Sequence, residues 1–446
     1  MIAMKIFLVS IQFIPHITGG GGIVVRDLSL ELVKAGDDVT VIALGLQDKE
    51  EEIIEIKDGT GIYPIKVKRF FTSDSKNIKD PYQGTKKEEF KRFEEFTNQV
   101  LNYLKDQNGI IHLHGHYEIP SLAKRIKEEG KKNPIIITYS ALESIALESK
   151  RIIDDYALKY IKEKEEVGLR YCDIAIVNSE KVRAQLKSMY PNSFSEKKVI
   201  VLSNYVSNEH IYFKKFDDKD LLHVRRKYGI SETNRLIYHI GRFDKIKGIE
   251  YLIQAMDLVS PKISDNISVL IVGFLEEKQI EYFDYLYKLA QEITSKNENL
   301  EIKFHPRAIE IDDRLSLLDT CSFFVTPAIL EPFGLTTLEA WSRGKAVIRS
   351  DNEGSRFLFN IKNHIPTPYL KKPEGLIVNF ESERTKNLSE AILYLLKNPE
   401  ITKKMGELGR KLALQNYSWK KPIKIYRKIY QKIEKRNNKN IKINKN

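Results

Sequence analysis

Short apolar segments alternate with amphipathic segments along almost the whole chain. The apolar segments, such as KIFLVSI at residues 5–11 and ISVLIVG at residues 267–273, are rich in isoleucine and valine. The segments between them, such as IEYLIQAMDLV at residues 249–259, carry apolar residues at helical spacing. Continuous apolar strands separated by amphipathic helices are typical of a parallel sheet covered by helices on both faces. The pattern therefore predicts an α/β protein.

This alternation is interrupted over residues 205–234, which are polar and charged and show no clear strand. A chain of 446 residues is long enough for two cores. We therefore predict two doubly wound, Rossmann-like domains at residues 1–210 and 211–418. Ligands of open α/β sheets bind outside the carboxyl ends of the strands, so a shared cleft where the two domains face each other is the expected place for chemistry.

The C-terminal segment has a different character. Residues 419–433 predict one amphipathic helix, and residues 434–446 are of low complexity and predict a basic disordered tail. The predicted helix has Ile423, Tyr426, Tyr430 and Ile433 on one face, with Lys424, Arg427, Lys428 and Lys435 beside it.

The formal net charge of +12 is concentrated at this end of the chain. Residues 412–446 hold 11 Lys and Arg against Glu434 alone, so the rest of the protein is nearly neutral and does not predict a nucleic-acid-binding body. No apolar run approaches the roughly 20 residues that a membrane-spanning helix needs. A cytoplasmic protein is expected, and its two cysteines, Cys172 and Cys321, are expected to be buried thiols.

A glycine run follows the first strand. Gly19, Gly20, Gly21 and Gly22 stand where a loop leads into a helix, and amide groups at a helix N-terminus favour a phosphate. The third glycine of a dinucleotide-binding fingerprint is missing at positions 24 and 25, so the run does not predict a dehydrogenase.

The strongest signal is the segment EPFGLTTLE, which follows a buried strand and opens a helix. It places two carboxylates, Glu331 and Glu339, on either side of a turn and a helix start, where both can face one ligand. The segment resembles the E-x7-E signature of glycosyltransferase family 4. That resemblance assigns donor contacts to Phe333, Gly334, Leu335, Thr336 and Glu339.

The resemblance extends over most of the chain. GRFDKIKG at residues 241–248 is similar to the family segment that binds the donor diphosphate, which implies that role for Arg242 and Lys247. The glycine run stands at the family's spacing, and HGHY at residues 114–117 is similar to sucrose-phosphate synthases within the family. The family implies the GT-B fold, with residues 1–210 as the acceptor-side domain, residues 211–418 as the nucleotide-sugar-binding domain, and the C-terminal helix crossing back to the first domain.

The family also implies an activity. A retaining glycosyltransferase would move a hexose from a nucleotide-diphosphate sugar, with UDP-glucose favoured, onto a sugar phosphate, a growing glycan or a lipid-linked oligosaccharide. Glu331, Arg242 and Lys247 are then the expected catalytic residues, and the glycine run the expected second partner of the diphosphate. Closure of the domains would exclude water from the reaction.

One position departs from the family pattern. Ser140 stands where members commonly carry a histidine that approaches the donor sugar, and a serine can donate a hydrogen bond but cannot carry charge. His114 or His116 could compensate from the neighbouring loop, or each could be an ordinary histidine of the core or surface.

No metal and no cofactor beyond the donor are expected. Asp218 and Asp220 form a D-x-D triplet, but it lies in the charged segment between the domains, and the histidines and cysteines show no zinc spacing. Three alternatives stay open: a non-catalytic nucleotide-sugar binding protein, a nucleotide-sugar epimerase, and a phosphorylase. The basic C-terminal helix either keeps its lysines in solvent or contacts an anionic membrane surface.

Overall fold

The computed structural model describes residues 3–17, 19–46, 49–58, 60–149, 155–206 and 215–443. The chain divides into two compact units. Unit 1 comprises Met1–Asn204 together with Trp419–Asn446, and unit 2 comprises Tyr205–Ser418. Part of the segment at which we place the domain boundary, residues 207–214, lies outside the described residues.

Unit 1 is built on one sheet in the order β3-β4-β2-β1-β5-β6-β7-β8, in which all neighbours are parallel except β3 and β4. Its strands are β1 Lys5–Ser10, β2 Asp38–Gly45, β3 Glu51–Asp58, β4 Gly61–Phe71, β5 Ile110–His114, β6 Ile135–Tyr139, β7 Ile174–Val177 and β8 Val199–Val201. Its helices are α1 Gly20–Lys34, α2 Lys86–Leu104, α3 Leu122–Glu128, α4 Glu143–Ser149, α5 Asp155–Tyr171 and α6 Glu180–Met189.

Unit 2 has a second sheet in the order β11-β10-β9-β12-β13-β15-β14, with only β14 antiparallel to its neighbour among the described strands. Its strands are β9 Arg235–Ile240, β10 Ile267–Val272, β11 Leu300–His305, β12 Phe323–Thr326, β13 Val347–Ser350, β14 Tyr369–Lys372 and β15 Gly375–Val378. Its helices are α7 Asp218–Lys227, α8 Ile249–Val259, α9 Ile280–Lys296, α10 Ile311–Thr320, α11 Leu335–Ser342, α12 Glu353–Leu358, α13 Arg384–Lys397 and α14 Pro399–Asn416.

The central strands are buried along their length, as the apolar runs predict. Every residue of β5, β6 and β10 is buried, and the apolar side chains of each sheet pack with the flanking helices in the core of its own unit. Cys172 and Cys321 lie in these buried regions as free thiols. The two α/β units confirm the predicted fold class.

Each sheet has one point at which the strand order reverses. In unit 1 it lies between β1 and β5, and in unit 2 between β9 and β12. Connections after two such strands diverge to opposite sides and leave a crevice at their carboxyl ends, where ligands of open α/β sheets bind. The two crevices are therefore the places to look for chemistry.

The last helix, α15, returns to unit 1 and spans Pro422–Ile443. Its backbone is thus helical over residues 434–443, where we predict a disordered tail, and residues 444–446 lie outside the described part of the chain. A helix that is anchored over its first turns extends at little further cost, so polar residues with moderate helical propensity continue it. None of the described helices is long and apolar enough to cross a membrane.

The packing of α15 also corrects the position of one basic residue. Arg427, which the sequence places on the basic side of the helix, is buried and pairs with Asp37, with Nε 2.8 Å from Oδ2. Lys424, Lys428 and Lys435 stay exposed.

Candidate active site

The crevice of unit 2 brings together the loops that follow β9 and β12. The backbone N–H of Ile329 donates to the carbonyl of Ile246 at 2.8 Å, which ties the two loops together. Gly248 adopts a φ of +62°, and a Cβ there would lie 2.3 Å from the carbonyl oxygen of Pro327. Only glycine allows this approach, so the glycine that ends GRFDKIKG has a structural role.

Lys247 and Glu331 meet where these loops touch. Lys247 Nζ lies 2.7 Å from Glu331 Oε2, and both side chains are about four-fifths buried. Burial raises the pKa of the Glu331 carboxyl, but Lys247 and then Arg349 lower it by more, and the net pKa lies below its ordinary value. Two residues that the sequence assigns to catalysis therefore form one ionised pair.

Beneath this pair lies a buried arginine that the sequence analysis does not single out. Arg349 on β13 is completely buried and donates from Nη1 to the carbonyl of Phe333 at 3.2 Å and to Thr337 Oγ1 at 3.0 Å. Gly334 has a φ of +101°, and a Cβ there would lie 2.4 Å from Arg349 Nη1. Arg349 thus shapes the turn between Glu331 and the start of α11. A charged residue inside the apolar run AVIRSD is the signal in the sequence.

The residues of the EPFGL turn have different surroundings. Phe333 is buried with its ring centroid 5.5 Å from that of Phe357, so it is a core residue of the turn. Gly334 is buried, whereas Leu335 and Thr336, which open α11, are half-buried. Amide groups at such a helix N-terminus lack intrahelical partners and favour an anion.

Arg242 and Glu339 are also paired with residues that the sequence does not reveal as partners. Arg242 Nη1 lies 2.9 Å from Glu276 Oε1. Burial raises the pKa of Glu276, but Arg242 and Lys278 lower it to a net value below normal. Glu339 is buried, and its Oε2 accepts a hydrogen bond from Arg314 on α10.

Unit 1 has a pocket at its own crevice, between the loops after β1, β5 and β6. It encloses about 320 Å³ of empty space, part of it open to solvent. Its walls are Ser10, Ile11, Gln12, Gly21, Gly22, Tyr82, His114, Gly115, His116, Thr138 and Ser140. Five residues of the predicted site, namely Gly21, Gly22, His114, His116 and Ser140, thus share one pocket.

The glycine run has no side chains to fill this pocket. Gly19 is the N-cap of α1, and its N–H donates to Gln12 Oε1 at 3.1 Å, while Gly20 begins the helix. A Cβ on Gly21 would lie 3.3 Å from His116 Nε2, and one on Gly22 would lie 3.1 Å from the Gln12 side chain. The run therefore keeps the wall of the pocket open.

The two predicted histidines are uncharged in this environment. Burial lowers the pKa of His114 to about 3. Its Nε2 is buried and has no hydrogen-bond partner among the described residues. Burial also lowers the pKa of His116, although Glu143, with Oε2 at 3.9 Å from Nδ1, opposes this effect. Neutral imidazoles suit hydroxyl groups better than they suit phosphate.

A third histidine, which the sequence analysis does not single out, lies behind the pocket. His112 is fully buried, with Nδ1 2.7 Å from the Tyr430 hydroxyl and Nε2 2.8 Å from Thr138 Oγ1. The ring centroids of His112 and His114 are 4.4 Å apart. Their alternation on β5 puts both on one face of the sheet, and this spacing is visible in the sequence.

The D-x-D triplet has a local structural role. Asp217 and Asp220 form a reciprocal capping box at the start of α7. Asp218 lies in the first turn of that helix. Within the described ranges, no three His, Cys, Asp or Glu side chains are grouped so that they could hold a metal ion.

Comparison with known proteins gives two family matches that together span most of the chain. The family described as "Glycosyl transferases group 1" matches residues 223–412, and that described as "Glycosyltransferase Family 4" matches residues 18–210. N-acetyl-alpha-D-glucosaminyl L-malate synthase from Bacillus anthracis is 23% identical over 431 residues, which is 95% of this chain and 97% of that protein.

Two solved structures show the same fold. Sucrose-phosphate synthase from Thermosynechococcus elongatus superposes with a TM-score of 0.74 at 19% identity and covers 96% of this chain and 99% of its own. Anabaena HepE in complex with UDP and glucose superposes with a TM-score of 0.66 at 14% identity, over 97% and 99% of the two chains.

Proposed function

Because this chain belongs to the family 4 glycosyltransferases with the GT-B fold, we propose that it is a retaining hexosyltransferase that uses a nucleotide-diphosphate sugar, with UDP-glucose as the first candidate, and needs no metal ion. The observation that carries the proposal is the pairing of Lys247 with Glu331 at the point where the strand order of unit 2 reverses. Anabaena HepE, which has this fold, was solved with UDP and glucose, and this supports the donor.

The cations of unit 2 support a reaction without a metal. Negative charge develops on the leaving diphosphate as the glycosidic bond breaks, and fixed cations that meet it lower the barrier. Lys247 and Arg242 are already positioned by Glu331 and Glu276, so little reorganisation is needed when phosphate arrives. The N-terminus of α11 adds amide donors beside them.

The carboxylates of Glu331 and Glu339 would accept hydrogen bonds from hydroxyl groups of the donor. Glu331 would accept hydrogen bonds from the transferred sugar, because the lowered pKa of its carboxyl keeps it ionised at neutral pH. Glu339 would accept hydrogen bonds from the ribose hydroxyls while its Oε2 also accepts one from Arg314. In unit 1, Ser140, His114 and His116 would contact the sugar, while Gly19 to Gly22 leave room for the donor.

The proposed step proceeds on one face of the sugar. The bond between the anomeric carbon and the leaving phosphate oxygen breaks through an oxocarbenium-like transition state. The acceptor oxygen forms the new bond on the same face, and its proton passes to the leaving phosphate. No enzyme nucleophile is needed in this scheme, because both partners of the exchange are substrates.

The test is a donor panel on the full chain. We expect UDP-glucose, and few of its relatives with other bases or sugars, to raise the melting temperature and to be hydrolysed slowly to nucleoside diphosphate, with and without EDTA. Acceptors are then added by class: sugar phosphates, glycans, lipid-linked saccharides and hydroxy acids. The hydroxy acids are included because the Bacillus anthracis relative is named as a malate synthase.

Variants assign the roles. Arg242→Ala and Lys247→Ala should each weaken UDP binding about tenfold or more. Glu331→Ala should abolish transfer while UDP still binds. Lys245→Ala changes an exposed neighbour and is the control. Unchanged activity of Arg242→Ala would remove the diphosphate assignment. Binding without turnover on any acceptor would favour the non-catalytic binding protein, for which the serine at position 140 is the argument, and formation of an epimer would favour an epimerase.

We further propose that this enzyme is cytoplasmic and that it contacts an anionic membrane surface through α15. Lys424, Lys428, Lys432 and Lys435 follow one exposed face of the helix. The opposite face is fixed on unit 1 by Arg427 and Tyr430, so the lysines are held outward. Basic residues near an anionic bilayer contribute about 1 kcal/mol each, which is enough for reversible attachment.

A further inference from the structure

A hydrogen-bonded chain connects the C-terminal helix with the pocket of unit 1. The hydroxyl of Tyr430 on α15 lies 2.7 Å from His112 Nδ1, and His112 Nε2 lies 2.8 Å from Thr138 Oγ1. Tyr430 and His112 are both completely buried, whereas Thr138 is one of the pocket walls. A residue more than 290 positions away in the sequence therefore reaches the pocket through one imidazole.

The direction of each hydrogen bond follows from counting protons. A neutral imidazole donates from one nitrogen and accepts at the other, and burial together with His114 keeps the pKa of His112 well below its ordinary value. If His112 donated from Nδ1, the Tyr430 hydroxyl would accept that bond. Its own proton would then be buried with no acceptor, since His112 is the partner of this hydroxyl in the described part of the chain.

The opposite arrangement satisfies every group. Tyr430 donates to Nδ1, the imidazole proton sits on Nε2, and Nε2–H donates to Thr138 Oγ1. The Thr138 oxygen is then occupied as an acceptor, and its hydroxyl proton is free to be donated. Because Thr138 lines the pocket, that proton is available to a ligand.

We propose that Tyr430 is a positioning residue which, through His112, fixes the Thr138 hydroxyl as a hydrogen-bond donor to a hydroxyl of the donor sugar in the unit 1 pocket. The inference rests on the proposed function for the identity of the ligand. Its chemistry fits that ligand, since His114 beside Thr138 is neutral and offers a buried Nε2 without a partner among the described residues. A sugar hydroxyl can accept from Thr138 and bond to this nitrogen at the same time.

The first experiment needs no substrate. Long-range proton–nitrogen NMR on the full chain labelled with nitrogen-15 at histidine, with His112→Gln for assignment, shows which ring nitrogen carries the proton. We expect Nε2 in the wild type. A proton on Nδ1 would overturn the inference, whatever the enzyme's activity, and a wild type that does not hydrolyse UDP-glucose would instead contradict the proposed donor.

The second experiment is a double-mutant cycle on UDP-glucose hydrolysis. Tyr430→Phe and Thr138→Val should each lower kcat/KM about fivefold, the loss expected for one neutral hydrogen bond. The inhibition constant of UDP should not change, because UDP lacks the sugar. The two effects should not add: in the Thr138→Val background, Tyr430→Phe should cause no further loss.

Two further variants separate this role from a packing role. Thr138→Ser keeps the hydroxyl and should retain activity. Tyr139→Phe is the matched control, because Tyr139 is equally buried and its hydroxyl donates to the carbonyl of Glu165 at 2.9 Å, away from His112. Additive losses, an equal loss in Tyr139→Phe, or a parallel loss of UDP binding would each reject the positioning role.

Discussion

At the scale of single residues, the charges of the candidate site in unit 2 are held in pairs. Lys247 is held by Glu331, Arg242 by Glu276, and Glu339 by Arg314. Partly buried charges are costly without a partner, so the cations of the proposed diphosphate site need carboxylates to balance them in the resting protein. The same carboxylates orient the cations, so under the proposed function one set of residues would serve both stability and substrate binding.

The first prediction concerns the dependence of this pairing on pH. Since the folded pKa of Glu331 lies below the ordinary value of 4.5, the pair stabilises the protein above that pH and loses its contribution as pH falls through the folded pKa. Lys247→Met removes the charge that lowers the pKa of Glu331 most, so that the effect of burial, which raises this pKa, prevails. We expect the free energy of unfolding to fall by roughly 1.5–3 kcal/mol at neutral pH, the range for hydrogen bonds to charged groups.

Urea unfolding at pH 7 and at pH 4 checks this prediction. The difference in the free energy of unfolding between wild type and Lys247→Met should shrink at pH 4. In the variant, burial raises the pKa of Glu331, so its carboxyl takes up a proton at low pH and no longer lies buried as an unpaired charge. Lys245→Met, at an exposed position two residues earlier, should match the wild type at both values. A deficit that is equal at pH 7 and pH 4 would show that the pair does not act through charge.

The sequence indicates both members of the Lys247–Glu331 pair, but only one member of each of the other two pairs. Short motifs at fixed spacing allow four of these residues to be predicted, namely Lys247, Arg242, Glu331 and Glu339. Glu276 and Arg314 come from other elements of the fold, and only the positions of β10 and α10 bring them into contact. Pairing of this kind depends on tertiary structure, which spacing along the chain does not encode.

At the scale of elements, buried strands are easier to predict from the sequence than edge strands. The central strands have continuous apolar runs, whereas the edge strand β3 reads EEIIEIKD and pairs antiparallel with β4 as a hairpin that the pattern does not predict. Charged residues on an edge strand protect it from pairing with another chain, and they also hide it from a search for apolar segments. The element α15 is predicted, but its length is underestimated.

The second prediction concerns how α15 is held on unit 1. Arg427 and Asp37 form a buried pair with side chains 7% and 0% exposed. Arg427→Ala leaves the Asp37 carboxylate buried without its cation, and removing one partner of such a pair costs about 3–5 kcal/mol. Equilibrium unfolding in urea, followed by circular dichroism, measures the loss.

Two comparisons make that measurement specific. Lys428→Ala changes an exposed residue on the same helix and should stay within about 0.5 kcal/mol of the wild type. The double variant Asp37→Asn with Arg427→Met removes both charges and should recover part of the loss. If Arg427→Ala proves as stable as Lys428→Ala, the buried pair does not anchor the helix.

At the scale of the whole molecule, charge is distributed unevenly along the chain. Of the formal net charge of +12, residues 412–446 contribute 11 cations against one carboxylate. The fold adds what the sequence could not show: Arg427 is removed from this set by burial, and Lys424, Lys428, Lys432 and Lys435 are aligned on one exposed side of α15. A surface of one sign attracts an anionic partner over about 10 Å at moderate salt.

The third prediction follows from that surface. The full chain should sediment with vesicles that contain phosphatidylserine and not with neutral phosphatidylcholine vesicles, and added salt should weaken the binding. Lys424→Gln, Lys428→Gln and Lys432→Gln together should weaken it about 100-fold, since each charge contributes about 1 kcal/mol.

The control removes the same charge from another helix. Lys403, Lys404 and Lys411 on α14 are equally exposed, and their triple change to Gln should leave vesicle binding intact. If both triple variants lost vesicle binding to the same extent, the binding would depend on the overall charge of the protein and not on α15. Binding to RNA but not to vesicles would assign the basic face to a different partner.

The return of α15 to unit 1 has a consequence for biosynthesis. A ribosome completes β1 to β8 early, yet Asp37 and His112 receive their partners Arg427 and Tyr430 only after residues 205–418 have been translated. Unit 2 is continuous in the chain and can fold as soon as it leaves the exit tunnel. The unit that is synthesised first is therefore finished last, and a released chain that ends between residues 418 and 427 would carry a complete unit 2 and an incomplete unit 1.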